Sequence, residues 1–125
     1  MANFLLINAG VTHPHRPWLD RLAGGGPMVL PITISMGATG LGKGVMARIV
    51  RAPSDEPKFS ARLLTLVAIY SCSNVRDAQL EPLLGKASAT GVLMRMNAVR
   101  VDGHETGERC IVHRGDVCLS FAESP

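Results

Sequence analysis

Phe4-Leu-Leu-Ile-Asn-Ala-Gly10 is a continuous apolar run closed by a glycine. This is the pattern of a strand buried on both faces, as in parallel sheets covered by helices. The turn-rich Gly10-Val-Thr-His-Pro-His-Arg16 follows, and Pro17 suits the first turn of a short helix carrying Trp18, Leu19 and Leu22. Gly24-Gly-Gly-Pro27 stops that helix, and Met28-Val-Leu-Pro-Ile-Thr-Ile34 reads as a second apolar strand. Pro31 lacks a ladder donor and is expected near the end of the paired portion. Strand, helix and strand in this order form the unit that right-handed crossovers build, so the expected fold class is α/β.

Beyond it the pattern changes. Gly37-Ala-Thr-Gly-Leu-Gly-Lys-Gly44 reads as a hairpin loop, and Val45 to Arg51 alternates as a strand with one wetter face. Phe59 to Tyr70 is β-branched and long, one bent strand or two short ones, so an antiparallel hairpin is expected across polar Ala52 to Pro57. Ala78, Leu80, Leu83, Leu84 and Ala87 recur at three and four over 77–86, predicting a helix despite Pro82, which a first turn tolerates if the helix starts late. Strands are then expected over 98–101, 110–113 and 117–121, the last two joined by a turn at Arg114-Gly-Asp116 into a terminal hairpin.

A chain of 125 residues holds one domain with a modest core, taken as residues 1–125. With 46% hydrophobic and 18% charged residues it is too apolar to be disordered. The net charge of +3 is scattered, unlike the clustered basic face that nucleic acid requires, so no nucleic-acid partner is expected. No apolar run approaches the roughly 18 residues of a membrane helix, and three sparse cysteines fit free thiols in a reducing compartment, so a cytoplasmic location is expected.

Several motifs offer chemistry. Gly37-x-x-x-x-Gly42-Lys43 matches a phosphate-cradling loop until Gly44, which stands where a Ser or Thr hydroxyl must meet magnesium. Cys72 with a distant His and Asp is too generic a combination to mark a nucleophile. His104, Cys110, His113 and Cys118 spell H-x5-C-x2-H-x4-C, a zinc-like ligand set. On one regular strand, however, Cys110 and His113 point to opposite faces, so no metal is expected there. Asn8 to Thr12, at the carboxyl end of the first strand, occupies the place where open α/β sheets bind ligands. As a purely structural turn it would be capped by Thr12 or His13. Asp20 and Asp77 read as solvated or capping residues at helix boundaries.

Leu6-Ile-Asn-Ala-Gly-Val-Thr-His-Pro14, Trp18-Leu-Asp-Arg-Leu22, Gly25-Gly-Pro-Met-Val-Leu-Pro31 and Gly44-Val-Met-Ala-Arg-Ile-Val-Arg51 occur in series. Phe59-Ser-Ala-Arg62, Val67-Ala-Ile-Tyr70, Cys72 and Arg76-Asp77 continue it. Together they resemble the second half of protein-L-isoaspartate O-methyltransferase-like proteins, over about residues 3 to 87 and loosely in the tail. The resemblance implies a partial class I methyltransferase (Rossmann-like) sheet: strand four, its helix, strand five, antiparallel strands, a helix and a C-terminal hairpin. It implies that Asn8, Ala9, Gly10, Val11 and Thr12 line a substrate pocket, and it names no catalytic residue. Members of that family transfer a methyl group from S-adenosylmethionine to a side-chain carboxylate of a protein or peptide. Their cofactor is held by a glycine-rich turn after strand one and an acidic residue ending strand two. Neither is found in this sequence, and residues 37–44 come too late in the order to replace them. The expectation is therefore a truncated methyltransferase-like protein that does not bind S-adenosylmethionine alone and is inactive alone. Residues 3–9 would be left as an open apolar edge for self-association or a protein partner.

Overall fold

A computed structural model of the chain describes residues 3–35, 41–54, 56–71, 76–104, 106–107 and 109–121. Its elements are β1 (Leu5–Leu6), α1 (Arg16–Arg21), β2 (Pro27–Ser35), β3 (Leu41–Arg51), β4 (Phe59–Tyr70), α2 (Leu80–Ala89), a 3-10 turn (Val92–Arg95), β5 (Ala98–Arg100), β6 (Cys110–His113) and β7 (Cys118–Ser120). The strands form one mixed seven-stranded sheet in the order β1-β2-β3-β4-β5-β7-β6. β1 runs parallel to β2 across the α1 crossover, and the other neighbours are antiparallel. This is an α/β architecture with few helices. No helix among the described residues is long and apolar enough to cross a membrane.

Both helices start and stop as their sequences dictate. Pro17 sits in the first turn of α1, where a missing N–H costs nothing, and Gly25 adopts φ 79° beyond its end. In α2, Pro82 also falls in the first turn, and Leu80, Leu84 and Ala87 form the buried stripe. The stripe packs against both β2 and β6, which lie near opposite ends of the strand order, so the sheet curls around α2. Leu30, Ile32, Ile49, Leu84, Val99 and Leu119 are fully buried in the resulting core.

Three expectations need correction. β1 is not buried on both faces: Leu5 and Ile7 pack on the core, but Phe4 is 55% and Leu6 62% exposed. The strand is a short edge with one neighbour, and only one of its faces is covered. Pro31 lies mid-strand, paired with Met46, rather than near the end of pairing. Its carbonyl accepts from Val11 N–H, so its nitrogen faces the same side, where the ladder to β1 is broken by the turn at residues 8–10 and no donor is needed. Finally, Gly42, Lys43 and Gly44 belong to β3 rather than to a loop. A Cβ on Gly44 would collide with the Ile32 carbonyl oxygen and one on Gly42 with the Thr33 side chain, so these glycines permit close strand contact. Lys43 is exposed on a strand flanked on both sides, with no helix N-terminus following it, and the phosphate-loop reading has no support. Gly37 to Gly40 and Cys72 lie outside the described residues.

Candidate functional site

The turn after β1 is placed by two isolated bridges, Gly10 with Ser71 and Val11 with Ile32. Asn8 is exposed and Ala9 half-buried, whereas Gly10, Val11 and Thr12 are buried. Val11 is part of the hydrophobic core. Thr33 Oγ1 fills the space a Cβ on Gly10 would occupy. Neither Thr12 nor His13 caps α1, whose N-cap is His15. Thr12 Oγ1 instead accepts the Asp77 backbone N–H at 3.0 Å, tying the turn to the approach to α2. The side chains of Val11 and Thr12 are thus spent on packing and bonding rather than lining an open pocket.

The open space begins one residue later. His13, His15, Arg76, Asp77, Ala78, Arg114 and Asp116 enclose a polar cleft of about 300 Å³. Arg114 reaches into it from the β6–β7 turn, pairing with Asp77 at 3.2 Å and Asp116 at 3.2 Å. It also donates from Nη1 to His13 Nε2 at 2.7 Å. Because a guanidinium only donates, Nε2 must carry the lone pair, and the other ring nitrogen, 2.8 Å from Thr12 Oγ1, holds the proton. Arg76 closes the opposite wall. It donates to the Thr33 hydroxyl and carbonyl, each at 2.9 Å, and pairs with Glu81.

Burial, reinforced by the facing Arg114 charge, lowers the His13 pKa from 6.5 to about 4. In the unfolded chain this ring binds a proton below about 6.5, while the folded protein refuses it until about 4. Its contribution to stability is complete above the upper value and is lost as pH falls through the window, by about 2 kcal/mol after allowance for solvent screening. His13→Gln should therefore flatten the decline of the unfolding midpoint between these two pH values. A slope identical to that of the unsubstituted protein would show that the ring is not held neutral.

At the other side of the terminal hairpin, His104, Cys110, His113 and Cys118 converge, with their nitrogen and sulfur atoms all within 4.8 Å of one another. This corrects the expectation that Cys110 and His113 face apart. The β6–β7 register shifts between Cys110 and Val112, so that His113 opposes Cys118 while Cys110 opposes Ser120. The extra residue of that bulge turns Cys110 onto the face shared by His113 and Cys118, and Val112 points into the core. Cys110 Sγ lies 3.3 Å from His104 Nε2 and 3.8 Å from His113 Nδ1.

His104 arrives from the segment after β5, where its Nδ1 lies 2.9 Å from the Asp102 carbonyl. A carbonyl only accepts, so Nδ1 is the protonated nitrogen and Nε2 offers its lone pair to the cluster. That bond, followed by the contact with Cys110, raises the His104 pKa. Burial works to raise the Cys110 thiol, but its contacts with Cys118, Gly107, His104 and His113 prevail and bring it down to about 6. Cys118 is pushed up by its burial and by sharing its proton with Cys110. The only sequence sign of this assembly is the H-x5-C-x2-H-x4-C spacing.

The other large hollow, about 870 Å³, is an apolar groove lined by Val50, Pro53, Phe59, Ala98 and Val99 among others. Its charged members are already engaged: Arg51 lies over the Phe59 ring at 5.6 Å and Arg100 pairs with Asp102. The glycines of β3 are filled by Thr33 and Ile32, and the space over Gly10 is filled by Thr33. Compared with known proteins, the chain matches no family model, no curated protein and no solved structure.

Proposed function

We propose that this chain is the acceptor-side part of a methyltransferase-like sheet, acting as a non-catalytic module that associates with another strand through β1. The observation that carries the reading is the position of β1. It lies parallel to β2 across a one-helix crossover, at the end of the strand order, with Phe4 and Leu6 exposed. An apolar edge of this kind is a template for a further strand. The succession of parallel pair, antiparallel strands, helix and terminal hairpin supports the resemblance to the second half of isoaspartyl methyltransferase-like proteins. The polar cleft lies just beyond β1, the region where such sheets meet ligands, and its guanidiniums suit a protein carboxylate as acceptor.

Two measurements test this reading. Titration calorimetry of the chain with S-adenosylmethionine is expected to give no binding heat, and micromolar binding would overturn the claim that the donor site is lacking. Sedimentation equilibrium over a wide concentration range is expected to show self-association of the isolated chain, abolished by Leu6→Lys. A monomer at every concentration would overturn the role assigned to β1.

A further inference from the structure

We propose that His104, Cys110, His113 and Cys118 form a structural zinc site that fastens the segment following β5 onto the β6–β7 hairpin. The donor set is the first support. Two thiol sulfurs and two imidazole nitrogens make the S2N2 combination that tetrahedral zinc favours, and four protein ligands leave no position open for catalysis.

Geometry is the second. Zinc bonds of about 2.3 Å to sulfur and 2.0–2.1 Å to nitrogen place tetrahedral ligand atoms about 3.3–3.8 Å apart. The His104–Cys110 and Cys110–His113 separations, 3.3 and 3.8 Å, already have these values. No pair in the set exceeds 4.8 Å, about 1 Å beyond the longest of these separations.

The third support is the outer layer. A zinc-binding histidine characteristically donates its other N–H to a carbonyl or carboxylate, which fixes the tautomer and aims the ring. His104 does this through the Asp102 carbonyl, and Asp102 is in turn clamped by two bonds from Arg100 at 3.0 and 2.6 Å. The bulge in β6 has a purpose in this reading, because without it Cys110 would turn away from His113 and Cys118.

Four ligands from β6, β7 and the segment after β5 would cross-link elements that otherwise share short ladders. β5 and β7 are three residues each. The ion would thus add a cross-link on the face of the hairpin opposite Val112 and Leu119, which pack into the core.

The test uses the full chain, reduced and stripped of metal, titrated with Co(II) and then Zn(II). Expected are one cobalt per chain, the intense visible bands of tetrahedral Co(II) with sulfur-to-metal charge transfer, and displacement by zinc. Zinc should also raise the unfolding midpoint. Cys118 is buried, so the variants of choice are His104→Ala and Cys110→Ser, whose side chains are only partly buried. Each should weaken metal affinity by roughly 100-fold. If either folds poorly, the metal titration of the unsubstituted chain still decides, and Lys43→Gln, exposed on β3 and outside the ligand set, should bind as the unsubstituted chain does. Octahedral cobalt spectra, equal affinity in the His104→Ala and unsubstituted chains, or a Cys110–Cys118 disulfide that forms in reducing buffer and leaves no metal uptake would each overturn the proposal. None of these results depends on methyl-donor binding or on association through β1.

Discussion

Gly44→Ala is expected to cost about 3 kcal/mol or more of folding free energy, a large share of the roughly 5–15 kcal/mol available to a domain of this kind. The added methyl group meets backbone: the Ile32 carbonyl oxygen and the Thr33 Cα lie where the Cβ must go. Gly44 is also held between β2 and β4, opposite Thr33 and Val67, so neither neighbour yields without breaking a ladder. Gly85→Ala is the matching control. That glycine lies inside α2 with open space where a Cβ would stand, and alanine there should stabilise the protein by about 0.5–1 kcal/mol. Denaturant midpoints of the two variants should move in opposite directions. A loss below about 1 kcal/mol for Gly44→Ala would mean that the β2–β3 contact relaxes freely.

Arg76→Leu should destabilise the protein by about 2–4 kcal/mol. The guanidinium binds the Thr33 hydroxyl and carbonyl and pairs with Glu81, and its side chain is only 14% exposed. Removing it leaves Glu81 with the Ser35 backbone N–H and hydroxyl as partners. The double variant Arg76→Leu/Glu81→Leu should recover at least half of the loss, because the cost lies mainly in an abandoned charge rather than in a lost attraction. Burial tends to raise the Glu81 pKa, but the hydrogen bonds from Ser35 and Arg76 hold it below its ordinary value of 4.5. Its contribution is therefore present above that value and disappears as pH falls through the lower folded one. In Arg76→Leu the folded value rises toward the ordinary one, so the loss of stability on acidification through this range should be smaller. A double variant no more stable than Arg76→Leu would place the effect in packing around Thr33 instead.

Local order was legible wherever a single residue type dictates a conformation. Pro17 marked the start of α1, Gly24 to Gly26 its stop, and Arg114-Gly-Asp116 the hairpin turn, whereas α2 begins at Leu80 rather than 77 and β1 ends at Leu6, well short of Gly10. The limits of β6 agree with the expected 110–113. Which face a residue takes was not legible where it depends on pairing across strands. Alternation placed Cys110 and His113 apart because a bulge has no fixed spelling, yet one inserted residue inverts every face beyond it. β1 misled for a related reason: Phe4 and Leu6 are as apolar as any core residue, and their exposure shows that only the opposite face, with Leu5 and Ile7, is packed on the core. The cleft was illegible because it joins Arg76, Arg114 and His13 from distant parts of the chain. The doublet Arg76-Asp77 and the triplet Arg114-Gly-Asp116, charged residues beside turns, were its only trace.

β7 follows β6 in the chain yet lies between β6 and β5, with Asn97 N–H bonding the Ser120 carbonyl and Ser120 Oγ bonding Ala98. A ribosome making this protein therefore delivers both outer strands of that trio before the one that joins them. Until Ser120 has cleared the exit tunnel, β5 and β6 have no common partner, and the apolar side chains of the nascent hairpin remain open to chaperones and proteases. Synthesis speed between β6 and β7 thus bears on yield in a way that folded-state stability does not report.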